Sequence, residues 1–173
     1  MSFLISSRRA QERDALSEFY YVIVDVLGYQ ARPLHARVPG LSLLSVTEEA
    51  VHPFNIIEEV RNYIEEKGPL VACLKVTPLE LLFKTDLNQI VENATRLAEL
   101  RINADTHWKV HIRKRQTMLR SVQVVEAIAA RIDLGVVDLK NPEREIRVEI
   151  VRDLTGLSVM EPNYELRMVH YEN

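Results

Sequence analysis

Between His107 and Arg115 the side chains alternate in kind at every step. Trp108, Val110 and Ile112 fall on one parity, and His107, Lys109, His111, Arg113 and Arg115 on the other. A period of two fits a β-strand with one face in the core, not an amphipathic helix, whose apolar residues recur every three or four positions. The polar parity is almost wholly cationic, and no Asp or Glu occurs from Thr106 to Val125. The 173-residue chain has a formal net charge of −3. A polyanion would therefore have to be met by a local patch such as this one, not by the overall charge.

The chain before this strand reads as alternating strands and helices. Phe3 to Ser6 is a short apolar strand. Arg8 to Leu27 carries Leu16, Phe19, Tyr20, Ile23 and Leu27 at helical spacing, with Gly28 as its stop. Ala31 to Arg37 and Leu41 to Val46 are strands about a Val38-Pro39-Gly40 turn. Asn55 with Glu58 forms a capping-box start for a second helix, which Gly68-Pro69 ends. Leu70 to Val76 is a buried strand, and Pro78 breaks it before Leu79 to Phe83. This order is the split βαβ pattern of a ferredoxin-like fold. Asp86 with Gln89 opens a third helix with Ile90, Val91, Ala94, Leu97 and Ala98 inward, and Asn103-Ala104-Asp105 is read as a joint. The expected division is residues 1–104, a ferredoxin-like domain with an extra C-terminal helix, and residues 105–173.

After the cationic strand, Ser121 opens a helix with Val122, Val125, Ile128, Ala129 and Ile132 on one face. Val136 to Leu139 is a short strand, and Lys140 to Glu143 a turn. Ile146, Val148 and Ile150 alternate with Glu145, Arg147 and Glu149, which predicts a strand with one wet face. Asp153 to Gly156 is a turn, followed by strands at Leu157 to Met160 and Glu165 to Val169. The expected fold class is α+β, with the second domain a small α/β unit on a mixed sheet.

Several chemistries are disfavoured. Cys73 is the single cysteine, so no internal disulfide forms, as expected of a reducing cytoplasm. The opening MSFLISSRRA has too short an apolar core for a secretion signal, and no run is long enough to span a membrane. His107 and His111 lie about 13 Å apart on a strand, too far to share a metal ion. His35, His52 and His170 have no partner at ligand spacing. None of the five glycines forms a GxG array, so no nucleotide or methyl-donor cofactor is expected. Trp108 has core parity, Cys73 is read as a buried inert thiol, and Asp138 as the tie of a turn.

Taken in order, several segments resemble a THUMP domain. They are Trp108-Lys109-Val110, Arg113-Lys114-Arg115, Ser121 with its helix, Val137 to Pro142, Val148-Glu149-Ile150 and Thr155 to Val159. The resemblance covers most of residues 70–165, and the first half resembles the ferredoxin-like segment that precedes THUMP domains in RNA-modifying proteins. The nearest kind is the stand-alone THUMP protein that assists an RNA acetyltransferase in making acetylcytidine in tRNA. The resemblance implies tRNA binding, with the acceptor end gripped by both subdomains and a separate acetyltransferase as partner. It also implies a non-catalytic subunit, because 173 residues leave no length for the methyltransferase, deaminase or thiouridine-forming domain that often accompanies THUMP.

The RNA-binding residues expected are Lys109, His111, Arg113, Lys114, Arg115, Gln116, Thr117, Arg120 and Ser121. Arginine forks onto phosphate oxygens and lysine acts as a point charge. Lys114 has the wrong parity for the stripe. Gln116, Thr117 and Ser121 add neutral contacts, and Ser121 sits at a helix start whose free N–H groups favour an anion. A charged strand face is more often simply solvated, and Ser121 simply a cap. Two other functions fit the same residues: a small stand-alone RNA-modifying enzyme, or an interaction module whose basic face docks an acidic partner. Four cations on a single-stranded end would give a log–log salt slope of about −3.

Overall fold

The computed structural model describes residues 1–168, which contain ten strands and four helices. They divide into two compact units, residues 1–80 with the chain from 165, and residues 81–164.

In the first unit β1 (Ser2–Ser7), α1 (Glu12–Tyr20), β2 (Ala31–Leu34), β3 (Leu41–Val46), α2 (Pro53–Lys67) and β4 (Cys73–Leu79) follow in sequence. The strands lie in the order β4-β1-β3-β2, antiparallel throughout. Each helix thus carries the chain past one intervening strand, which makes the unit ferredoxin-like as expected. Phe3 of β1 meets Phe19 of α1 edge to face, with ring centroids 5.4 Å apart.

Local chemistry moves several expected boundaries. After Tyr20 the helix widens, so that Leu27 N–H reaches the Val22 carbonyl five residues back, before Gly28 at φ 80° ends it. The cap of α2 is His52, whose Nδ1 accepts from Phe54 N–H, with Pro53 in the first turn where its missing N–H costs nothing. Glu18 accepts the N–H groups of Val71, Ala72 and Cys73 at 2.9 to 3.1 Å. Those amides are thereby withdrawn from sheet pairing, and β4 starts at Cys73 instead of Leu70. Pro78 stays within β4, opposite Phe3, because pairing with β10 (Leu166–Arg167) reaches only to Val76 among the described residues.

The second unit runs β5 (Leu81–Lys84), α3 (Leu87–Arg101), β6 (His107–Arg115), α4 (Ser121–Arg131), β7 (Val136–Val137), β8 (Arg144–Val151) and β9 (Leu154–Met160). Its sheet order is β5-β9-β8-β6-β7, with β6 parallel to β7 and β8 and the other pairs antiparallel. The expected mixed sheet is present. Helices α3 and α4 supply Ile90, Ala94, Ala98, Val124 and Ile128 to one core with Trp108, Ile146, Val148, Ile150, Leu157 and Val159.

That core corrects the expected division. The apolar stripe of α3 is buried against α4 and β9, so α3 belongs to the second unit and the break falls after Glu80, not Ala104. Asn103 to Thr106 is a tight local turn, with Thr106 N–H on the Asn103 carbonyl and Asp105 N–H on its side chain. β10 joins β4 in the first sheet, so 105–173 is not one domain. Val169 and His170 lie outside the described residues. In α4 the core residue is Val124, whereas Val122 is 65% exposed, because Val124, Ile128 and Ile132 share the inward side.

Gly135 is required by geometry. It sits at φ 68°, and a Cβ there would lie 2.4 Å from the Thr106 carbonyl oxygen and 2.8 Å from the Trp108 ring. The Trp108 indole N–H donates to the Leu134 carbonyl at 2.7 Å, so the ring has no room to retreat. Gly135→Ala is expected to destabilise the second unit by about 3 kcal/mol, measured as a lower urea midpoint at unchanged slope.

Candidate nucleic-acid interface

The polar face of β6 does not stand free along its length. Its neighbour β8 lies between β6 and β9, and Glu145, Arg147 and Glu149 are 4%, 2% and 1% exposed. The expected wet face of β8 is therefore a buried ionic row. A buried charge needs a partner, and β6 supplies several. Lys109 Nζ is 3.5 Å and His111 Nδ1 3.2 Å from the Glu145 carboxylate. The Arg115 guanidinium donates to Glu149. Arg147 lies between the two, with its Nη1 3.2 Å from Glu149 and its Nε 3.8 Å from Glu145. Lys109, Arg115 and Arg147 thus face two carboxylates. Most of the charge that Lys109, His111 and Arg115 bring is answered inside the fold, and their first role is structural.

Past the middle of the strand the pattern changes. Arg113 is exposed and, like Arg120, has no ion pair among the described residues. Lys114 has the opposite parity, as the sequence implied, and its Nζ donates to the Leu119 carbonyl at 3.0 Å, keeping its charge beside the β6–α4 loop. That loop turns at Gln116, φ 52°, and Thr117 Oγ1 accepts from Leu119 N–H. It ends with Arg120 in the cap position of α4 and Ser121 as the first helical residue. No side chain caps the helix, so Ser121 is not the cap and the first-turn N–H groups keep their partial positive charge. Lys114 and Arg120 thus flank the start of α4 along the chain, Arg113 is exposed two residues before the end of β6, and Gln116 is exposed on the loop between.

A further residue arrives from another strand. Arg152, at φ 58° in the β8–β9 turn, donates its backbone N–H to the Arg115 carbonyl at 2.9 Å. It is exposed beside the end of β6. The strand pairing that brings it there has no local sequence signal. Met118 on the loop is 97% exposed.

The opposite end of β6 is acidic as well as basic. His107 Nδ1 is 2.9 Å from Asp138, whose carboxylate also accepts the N–H groups of Lys140 and Asn141. Asp138 ties its turn as expected. Its carboxyl falls to about 2, first through the Asn141 amide and then through His107, which is raised in return. Trp108 is buried, as its parity required.

With this geometry the second unit can be placed. The THUMP domain model matches residues 84–160, so the chain carries a THUMP domain there. No match was found among curated proteins. Among solved structures, PH1313 from Pyrococcus horikoshii Ot3 is similar with a TM-score of 0.65 and 14% identity, over 96% of this chain and 55% of that one. TrmN from Thermus thermophilus gives 0.59 and 18%, over 92% and 45%. A 4-thiouridine synthetase in complex with RNA and ATP gives 0.58 and 11%, over 96% and 42%. At such identities the likeness shows the fold. The chain spans about half the length of these structures. The similar structures include a synthetase and a putative methyltransferase, both longer than this chain, which counts against the expectation of a non-catalytic subunit.

Two outcomes test the ionic row. Glu149→Ala leaves Arg115 without its carboxylate and Arg147 with one fewer. A loss of about 3–5 kcal/mol is expected in chemical unfolding. For Glu145, burial raises the carboxyl, but the His111 hydrogen bond and the charges of His111, Arg147 and Lys109 outweigh it and the net shift is downward. A carboxyl lowered by folding stabilises above its unfolded value and loses that contribution as pH falls through the folded value. Stability is expected to drop as pH falls below about 4.5, and Glu145→Gln to flatten that drop.

Proposed function

We propose that this chain is the tRNA-gripping part of a tRNA-modifying enzyme, working in the cytoplasm. The observation that carries the reading is the uncapped start of α4, with Arg120 in its cap position, Lys114 tied to the loop before it and Arg113 exposed near the end of β6. A phosphate placed there would meet the guanidinium of Arg120, the ammonium of Lys114 and a helix N-terminus, and Arg113 would meet a further phosphate of the same RNA strand. The similar 4-thiouridine synthetase is in complex with RNA, and the THUMP domain model matches this chain, which supports the same reading. Of the alternatives open from sequence, an RNA-modifying enzyme is the one these likenesses favour. The acceptor end remains the part of tRNA proposed to be held, on the strength of the sequence resemblance. Acetylcytidine formation with a separate acetyltransferase has no counterpart in the structures described above, which include a thiouridine synthetase. No helix among the described residues is long and apolar enough to cross a membrane.

The contacting set proposed is narrower than the sequence stripe. Arg115, Lys109 and His111 are held by carboxylates, so phosphate contact falls to Arg113, Lys114 and Arg120, with Gln116, Thr117 and Ser121 as neutral neighbours. Three cations on a single-stranded segment would give a salt slope of about −2, not −3. In filter binding, Arg113→Ala with Arg120→Ala is expected to weaken all tRNAs alike by at least about 10-fold and to bring the slope to about −0.7. Unchanged affinity and slope would exclude the reading. Arg115→Ala is expected to act on stability and to leave the salt slope unchanged.

A further inference from the structure

The first unit holds a second cationic feature that the sequence reading passed over. An open groove of about 520 Å3 lies between α1 and the β2–β3 loop. Leu16, Leu34, Val38 and Leu41, all half-buried, form its floor. Its rim carries Arg13, His35 and Arg37, all exposed. Arg8 and Arg9, on the β1–α1 loop, are exposed nearby: Ser7 N–H donates to the Gly40 carbonyl, which ties that loop to the β2–β3 loop. Arg8, Arg9 and Arg13 have no ion pair among the described residues.

The carboxylate in the lining is turned to the backbone. Glu12 Oε1 accepts from Gly40 N–H at 2.6 Å and from Ala10 N–H at 3.2 Å, so it serves to join the two loops. Both loops are held in left-handed backbone at residues other than glycine, Ala10 at φ 67° and Arg37 at φ 56°. The apolar floor and the cationic rim ask for an occupant with one apolar planar face and anionic oxygens. A volume of about 520 Å3 suits a single small-molecule-sized group and excludes a docked helix.

We infer that this groove holds an unpaired nucleotide of the bound RNA, its base on the leucine floor and its phosphates against the arginine rim. The inference rests on the reading of the chain as an RNA binder, and it adds a contact that does not involve β6 or α4. Arg13 lies in the first turn of α1, where an acidic residue is tolerated or favoured, so Arg13→Glu is a safe probe of the rim.

The test compares two RNAs by fluorescence anisotropy, a blunt hairpin and the same hairpin with a short unpaired overhang. Wild-type protein is expected to bind the overhang form more tightly. Arg13→Glu, and separately Arg8→Ala with Arg9→Ala, are expected to remove that preference, about 10-fold, while leaving the blunt hairpin within about 2-fold. The salt slope on the overhang form should shrink by about 1.4 for the double variant. If both variants keep the overhang preference while Arg113→Ala loses affinity, the groove assignment falls and the RNA-binding reading stands. If wild-type protein binds neither RNA, both fall.

Discussion

The second unit depends on a row of charge that its sheet encloses. Glu145, Arg147 and Glu149 project from β8 on the face away from α3 and α4, at 4%, 2% and 1% exposure. Carboxylates removed from water in this way cost several kcal/mol each unless answered by partners at close range. β6 lies parallel to β8 over eight register pairs, from Trp108↔Arg144 to Arg115↔Val151, and places Lys109, His111 and Arg115 within reach. The same alternation that builds the strand therefore supplies the counter-ions for its neighbour. Of the cations on that parity Arg113 alone is exposed without an ion pair among the described residues, although it lies opposite Glu149 in register, because Glu149 is taken by Arg115 and Arg147.

This arrangement separates two uses of one stretch of sequence. Lys109, His111 and Arg115 hold the sheet together. Near the end of β6 Arg113 and Lys114 are exposed, and Lys114 and Arg120 flank the open start of α4, where the helix dipole adds to their charge. Arg152 joins them through a backbone bond to Arg115. The position is the carboxyl end of a parallel strand followed by a helix, the edge at which α/β units most often present a site.

The strand pattern of Trp108, Val110 and Ile112 was legible because period two needs no tertiary information. So was the ferredoxin-like order of the first unit, since helix stops at Gly28 and Gly68 and the Pro39-Gly40 turn are local chemistry. The parity of Lys114 and the core role of Trp108 were legible in the same way. The fate of Glu145, Arg147 and Glu149 was not. Charged residues alternating with Ile and Val read equally as a wet face or a buried row, and only strand order decides between them. The membership of α3 was hidden for a related reason: its stripe is apolar whichever unit buries it. The groove beside Arg13 and Arg37 was invisible because its residues are spread over two loops that meet only through Glu12 and the Ser7–Gly40 bond.

The claim on which the account turns is that RNA meets the end of β6 and the start of α4, not the length of the strand. The most direct measurement is a titration of 15N-labelled protein with a short RNA hairpin, followed by backbone amide shifts. The account expects the largest changes at Gln116 to Gln123 and at Arg152, with Lys109 to His111 almost unmoved. Changes spread evenly from Lys109 to Arg115, with the α4 start unmoved, would contradict it.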